Sequence, residues 1–131
     1  MSLDVYLEGP VQEYPKERSC PICSHGHVCV QQLQAKIFHA NITHNLGPMA
    51  EAAGIYTVLW RPETLHEGPV YAKELIDRLS VGLDVMLADP AKFRALNAPN
   101  GWGTYYDFVP WVRRYLDACK QNPEAIVKAS R

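Results

Sequence analysis

Apolar and polar residues alternate over the first few positions of the chain. The apolar positions are Leu3, Val5 and Leu7, and the polar positions are Asp4, Tyr6 and Glu8. This period of two predicts a half-buried β-strand that ends at Gly9-Pro10. Near the other end, residues 125–127 form a short apolar run, which we expect to be a last strand paired with the first one.

A second strand is expected between residues 28 and 42, which are rich in Val, Ile, Phe and Gln and lack a helical stripe. One long strand and a hairpin are both compatible with this composition. Because side chains alternate along a strand, its two faces would carry Phe38, Ala40 and Ile42 on one side, and Ile37, His39 and Asn41 on the other.

Helical spacing of apolar residues appears after residue 43. A first helix should begin at Thr43 or Asn45, with Pro48 in its first turn and Gly54 after its end. Residues 55–60 are expected to be irregular but buried chain. A second helix should begin at Pro69 and end before Asp89-Pro90.

Two further helical segments complete the chain. Asp89 should cap a short turn that begins at Pro90 and carries Phe93. The last helix has Thr104 or Asp107 as its N-cap, and Asp107 is sterically easier because it places Pro110 in the first turn. Its charged residues are expected to be a solvated face.

This order of elements predicts the α+β class, with a small antiparallel sheet and about three helices packed on one of its faces. The sheet would contain the N-terminal strand, a hairpin and a C-terminal strand. With 131 residues we expect a single domain, and a variable hairpin or loop segment at about residues 9–34.

Charge and hydropathy limit the classes of partner. The formal net charge is −1, whereas nucleic acids and anionic membranes attract a dense basic surface, so neither is expected as a partner. We find no apolar run of membrane-spanning length and no signal peptide at the start. These features predict a cytoplasmic protein without a membrane partner.

Cysteine and histidine residues cluster within the variable segment. Cys20 and Cys23 are spaced like a zinc knuckle, and His25 and His27 would complete a closed, structural zinc site. His39 and His44 are the alternative pair of histidines. The simpler interpretation is a reduced hairpin beside two solvated histidines.

Polar and aromatic residues are unusually dense between Phe38 and Arg61. We expect a ligand site at the N-terminus of the first helix, which favours an anion. Aromatic rings there would stack on a base, amides would hydrogen-bond to the polar edges of the base, and Arg61 would bind phosphate. The candidate residues are Asn41, Thr43, His44, Asn45, Tyr56, Trp60, Arg61 and Trp102. The alternatives are that the rings are core residues and that Thr and Asn are ordinary helix caps.

Catalytic motifs are missing from the sequence. It contains no nucleophile elbow, no HExxH and no phosphate-binding loop, so a binding protein is favoured over an enzyme. A metal-dependent hydrolase that uses His44 is the remaining enzymatic alternative.

Several segments together resemble a family of small uncharacterised proteins from bacteriophages and prophages. They are MSLDVYL, the segment ANITHNLGPMAEAAGIYTVLWRPE, DPAKF, NGWGTYYDFV, YLDAC, NPEA and the final SR. The resemblance covers most of the chain except residues 9–34. It implies a phage accessory protein in the host cytoplasm and draws attention to the motif residues Asn41, Thr43, His44, Asn45, Trp60, Arg61 and Trp102.

Such proteins often act by binding. The leading hypothesis is a non-enzymatic, oligomeric protein that sequesters a phosphorylated nucleotide-like molecule, such as an immune signal. The rival hypothesis is an inhibitor that docks on a host protein, with Trp102 and neighbouring rings as anchors.

Overall fold

The computed structural model describes residues 2–9 and 36–131. Three strands lie in this part of the chain: β1 (Ser2–Glu8), β2 (Lys36–Thr43) and β3 (Ile126–Ser130). The helices described there are α1 (Gly47–Ala53), α2 (Tyr56–Trp60), α3 (Lys73–Ala88), α4 (Pro90–Arg94) and α5 (Tyr105–Gln121). Two 3₁₀ turns, His44–Leu46 and Pro62–Thr64, precede α1 and follow α2. This is the predicted α+β class.

The first strand is the centre of the sheet, whose order is β2-β1-β3. Both of its neighbours are antiparallel to it, with Val5 opposite Ala40 on one side and Ala129 on the other. Leu3, Val5 and Leu7 are fully buried, as their alternation predicts. The expected pairing of the last strand with the first is therefore confirmed.

The second strand begins at Lys36, and the predicted residues 28–35 lie outside the described part. Its alternation is confirmed, because Ala40 and Ile42 are buried whereas Ile37, His39 and Asn41 are exposed.

The long helix α5 packs on β2 of the sheet, and the long helix α3 packs on α5. The predicted stripe of α5 is confirmed, since Phe108, Val112 and Cys119 are buried while Arg113 and Arg114 are exposed. In α3 the buried stripe is Leu75, Leu79, Leu83 and Met86.

Residues 56–60 form α2, with Ile55 as its N-cap, so the prediction of irregular chain was wrong. The backbone N–H of Leu59 donates to Ile55 at 3.2 Å, and that of Arg61 donates to Thr57 at 2.9 Å. Periodicity cannot distinguish so short an apolar run, because a single helical turn contains no repeat. The predicted burial is confirmed for Ile55, Val58, Leu59 and Trp60, whereas Tyr56 is half-buried and Thr57 is exposed.

The start of α3 was also predicted wrongly, because Pro69 does not lie in the helix. The N–H of Val127 donates to the carbonyl of Val70 at 2.8 Å, and that of Ala72 donates to Ala125 at 2.8 Å. These bonds hold residues 70–72 against the start of β3. The helix can therefore begin only at Lys73.

The N-cap of α5 is Thr104, not the sterically easier Asp107, so Pro110 lies inside the helix. A proline removes the N–H that would bind the carbonyl four residues earlier, here that of Tyr106. Both residues are exposed, so water can bind the freed carbonyl.

Candidate functional site

The loop between α4 and α5 is a tight turn that presents an indole. The side-chain oxygen of Asn100 accepts the N–H of Trp102 at 3.0 Å, and the N–H of Ala98 donates to the carbonyl of Gly103 at 3.0 Å. Gly101 has a φ of 76° and Gly103 a φ of 119°, which other residues rarely adopt. The Trp102 side chain is therefore pushed outwards, and 73% of it is exposed.

The loop packs against the corner where β2 becomes the first 3₁₀ turn. A Cβ atom at Gly103 would lie 3.2 Å from Leu46 Cγ and 3.2 Å from Thr43 Cγ2, so only glycine allows this approach. The amide nitrogen of Asn45 donates to the carbonyl of Trp102 at 2.9 Å. Thr43 caps the turn by accepting the N–H of Asn45 at 3.3 Å.

An open depression of about 900 Å³ lies between the corner and the loop. Its polar and aromatic lining includes Asn41, Thr43, His44, Asn45, Asn100 and Trp102. A second depression of about 580 Å³ adjoins it, and its lining adds Pro48, Leu96 and Pro99. His44, Asn45 and Asn100 line both, so we call the pair the corner groove.

The structure brings together one part of the residues predicted as a site. Asn41, Thr43, His44, Asn45 and Trp102 all line the larger depression. Sequence reasoning did not include Ser2, Asn100 or Asp107 in the site, although they line it too. The Asn-Gly-Trp-Gly turn was the sequence signal that could have added Asn100.

Tyr56, Trp60 and Arg61 are not among the residues that line the corner groove. Trp60 is buried, with 1% of its surface exposed, and its ring stacks on Tyr56 with centroids 5.2 Å apart. The Trp60 ring also packs edge to face against the His44 ring, with centroids 6.2 Å apart. Trp60 therefore contacts a groove residue from the core. Arg61 is an exposed residue at the end of α2.

The charges of the groove do not favour an anion. Among the described residues that line it there is no lysine or arginine, and Asp107 carries the one carboxylate. Two N–H groups at the N-terminus of α5 already have side-chain acceptors, because Asn97 accepts the N–H of Tyr105 at 2.8 Å and Thr104 accepts that of Asp107 at 3.3 Å.

The N-terminus that was predicted to favour an anion is divided between the first 3₁₀ turn and α1. Thr43 caps the 3₁₀ turn, and α1 follows with Leu46 as N-cap and Pro48, which has no N–H, in its first turn. The backbone donors that motivated the prediction are therefore few.

Asn41 is held by a polar cluster on the open face of the sheet. Its amide nitrogen donates to Asp4 at 3.0 Å, and His39 Nε2 lies 2.9 Å from the same oxygen. Hydrogen bonds from His39 and then Asn41 hold the pKa of Asp4 below its ordinary value. The His39 ring also stacks on Tyr6 at 4.7 Å, which fixes the cluster at the edge of the larger depression.

His44 lines both depressions of the corner groove. The Nε2 atom of His44 is buried and has no hydrogen-bond partner among the described residues. The other polar and aromatic groups of the lining are amides, hydroxyls, the Asp107 carboxylate and an indole, which hydrogen-bond and stack.

Cys20, Cys23, His25 and His27 lie outside the described residues, so the zinc prediction stays a prediction. Within residues 2–9 and 36–131, no three His, Cys, Asp or Glu side chains are grouped as metal ligands. In the same part of the chain, no helix has the length and apolar character needed to cross a bilayer.

Known proteins add no further identification of this α+β domain. Neither a family model, nor a curated protein, nor a solved structure matches the chain. The inference of function therefore rests on the geometry of the corner groove.

Proposed function

We propose that the protein binds a nucleotide-like small molecule in the corner groove and does not transform it. The observation that carries the proposal is the convergence of Asn41, Thr43, Asn45, Asn100 and Trp102 on one depression. Pockets of this size hold small ligands, and a few fixed polar groups give them orientation.

Trp102 supplies the stacking surface. Both its backbone N–H and its carbonyl are bound by side chains, so the exposed indole is attached to an anchored peptide. Stacking of a base on such a ring contributes about 1–3 kcal/mol. The amides beside it can bind base edges and ribose hydroxyls.

A phosphate on the ligand would gain little from the lining. Arg61, which was predicted to bind phosphate, does not line the groove. The carboxylate of Asp107, which does line it, repels an anion. The base and the sugar would therefore carry the affinity, while phosphates point to solvent. Binding should depend only weakly on salt, since few ionic contacts are formed.

The biological setting of the proposal rests on the sequence resemblance. We propose a phage accessory protein that sequesters a phosphorylated nucleotide-like immune signal in the host cytoplasm. Sequestration requires affinity without turnover.

Thermal unfolding with nucleosides, nucleoside monophosphates and cyclic nucleotides tests the proposal. A ligand at a hundred times its Kd should stabilise the protein by about 2.7 kcal/mol. Trp102→Ala should abolish the shift. Tyr106→Ala is the matched control, because Tyr106 is 68% exposed but is not part of the lining. If no compound shifts the wild-type protein, the proposal is wrong.

The exposure of Trp102 favours one second candidate, an inhibitor that docks on a host protein. Buried tryptophans are frequent anchors of protein interfaces. In that case Trp102→Ala would abolish capture of a host protein, while nucleosides would neither bind nor compete. Sedimentation of the purified protein separately tests whether the exposed indole mediates a homo-oligomer.

A further inference from the structure

The side-chain amides of Asn45 and Asn100 have fixed orientations. The carbonyl of Trp102 can only accept, so the atom of Asn45 that faces it at 2.9 Å must be the amide nitrogen. The N–H of Trp102 can only donate, so the atom of Asn100 that faces it at 3.0 Å must be the amide oxygen. The backbone therefore removes the usual ambiguity between the two ends of an amide.

One polar atom of each amide is left over. Asn45 keeps its oxygen as an acceptor, and Asn100 keeps its NH₂ group as a donor. Neither atom has a protein partner within residues 2–9 and 36–131. Both residues are exposed, line both depressions of the corner groove and bind the backbone of the same residue, Trp102.

We propose that Asn45 and Asn100 form an acceptor–donor pair that reads the edge of a planar heterocycle. The ligand would donate an N–H to Asn45 and accept from Asn100 with an adjacent carbonyl oxygen. This inference rests on the proposed function, and it assigns the chemical class: a lactam edge, such as the N1–H and O6 of a hypoxanthine or guanine ring.

Phosphate is a poorer match to the same pair. A phosphate dianion offers only acceptors, so the Asn45 oxygen would lose water without gaining a partner. A lactam ring satisfies both atoms, and its flat face can stack on the neighbouring indole of Trp102. The pair and the ring therefore select the same kind of ligand.

Asn100→Asp tests the pair without removing the turn. Aspartate keeps an oxygen for the N–H of Trp102, and it is as good as asparagine in such turns. It replaces the free donor by an acceptor. The variant would then present two acceptors, which match the adjacent N1–H and N2–H₂ donors of guanosine but not the N1–H and O6 of inosine.

Inosine, guanosine and 1-methylinosine are the probes. Wild-type protein should bind inosine and guanosine with similar Kd, and 1-methylinosine about tenfold more weakly because it lacks the N–H. Asn100→Asp should weaken inosine about tenfold and retain guanosine. Thermal unfolding without ligand should be the same for both proteins, which excludes a folding defect.

The outcomes separate this inference from the proposed function. Equal losses for inosine and guanosine in Asn100→Asp, or full binding of 1-methylinosine by the wild type, would overturn the edge-reading pair only. Binding of other nucleosides but of neither inosine nor guanosine would also overturn it. If no nucleoside or nucleotide binds, both proposals are wrong.

Discussion

The amide nitrogen of Asn45 lies 2.9 Å from the carbonyl oxygen of Trp102, a residue 57 positions later in the chain. This bond joins the corner after β2 to the loop before α5. It lies at the boundary of the two depressions, so the shape of the corner groove depends on it.

Removal of this bond should loosen the loop without unfolding the domain. Asn45→Ala is expected to cost about 1 kcal/mol, the net value of one hydrogen bond. Amide exchange at residues 101–103 should accelerate, because their contact with the corner is weakened. Denaturant unfolding and hydrogen exchange measure the two effects. Glu51→Ala, at an exposed position of α1, is the control and should change neither.

Alanine substitutions at Gly54 and Gly103 compare the cost of backbone strain with the added cost of close packing. Both have a positive φ, 77° and 119°, but a Cβ at Gly54 meets no atom within 4 Å. Gly54→Ala should therefore destabilise by about 1 kcal/mol from strain alone.

Gly103→Ala should cost more, about 2–4 kcal/mol, because its Cβ would also press on Thr43 and Leu46. Gly103→Ala should also lose ligand binding, because the loop between α4 and α5 can no longer pack closely against the corner after β2. Chemical denaturation of both variants provides the comparison. Equal losses at the two positions would show that the contact with the corner contributes nothing.

The sequence predicted those strands and helices that can be recognised from the local pattern of their own side chains. Period-two alternation located β1, composition without a helical stripe located the described part of β2, and helical spacing located α3 and α5. The start of α3 was missed because backbone bonds from Ala72 and Val127 to distant residues decide it. Such bonds leave no trace in the local pattern.

The sequence predicted only part of the candidate site, because local patterns show neighbours along the chain and not contacts between distant segments. Residues 41–45 lie together because they are consecutive around one corner, so their density in the sequence was informative. Trp60 and Arg61 are near in sequence, but α2 turns one into the core and leaves the other outside the groove. Asn100 comes from a distant loop, and only the folded chain brings it to the corner.

His66 should make stability depend on pH. Its Nδ1 lies 2.7 Å from the carbonyl of Glu67 and its Nε2 lies 2.6 Å from Glu74. Two acceptors require two ring protons, so the hydrogen bond to Glu67 and then that to Glu74 raise the pKa of His66 above 6.5. The N–H of Tyr71 and then His66 lower the pKa of Glu74 below 4.5.

The sign of the effect follows from these directions. The contribution of His66 is complete below about pH 6.5, its unfolded value, and is lost as pH rises through the folded pKa. The contribution of Glu74 is complete above about pH 4.5 and is lost as pH falls through its folded pKa. The pair should therefore stabilise most between about pH 4.5 and 6.5.

Unfolding of the wild type and His66→Gln in denaturant measures this dependence. The difference in unfolding free energy should be largest near the middle of that interval and should shrink in alkaline buffer. A difference that stays constant across the whole range would show that the imidazole does not titrate with folding.

Two buried tyrosines in contact with the core should respond oppositely to loss of their hydroxyl groups. The hydroxyl of Tyr105 donates to the carbonyl of Met86 at 3.1 Å. The hydroxyl of Tyr115 is buried without a partner in the described part of the chain, and burial raises the pKa of Tyr115 well above its usual value. A buried hydroxyl without a partner costs about 1–3 kcal/mol.

Tyr115→Phe should therefore stabilise the protein by about 1 kcal/mol, because it removes an unsatisfied group and keeps the ring stacked on Phe38. Tyr105→Phe should destabilise it by about 1 kcal/mol, because the Met86 carbonyl loses its donor. Chemical denaturation of the two variants under identical conditions measures both changes. A loss of stability in Tyr115→Phe would mean that its hydroxyl is bonded in solution, by a water or by the segment between β1 and β2.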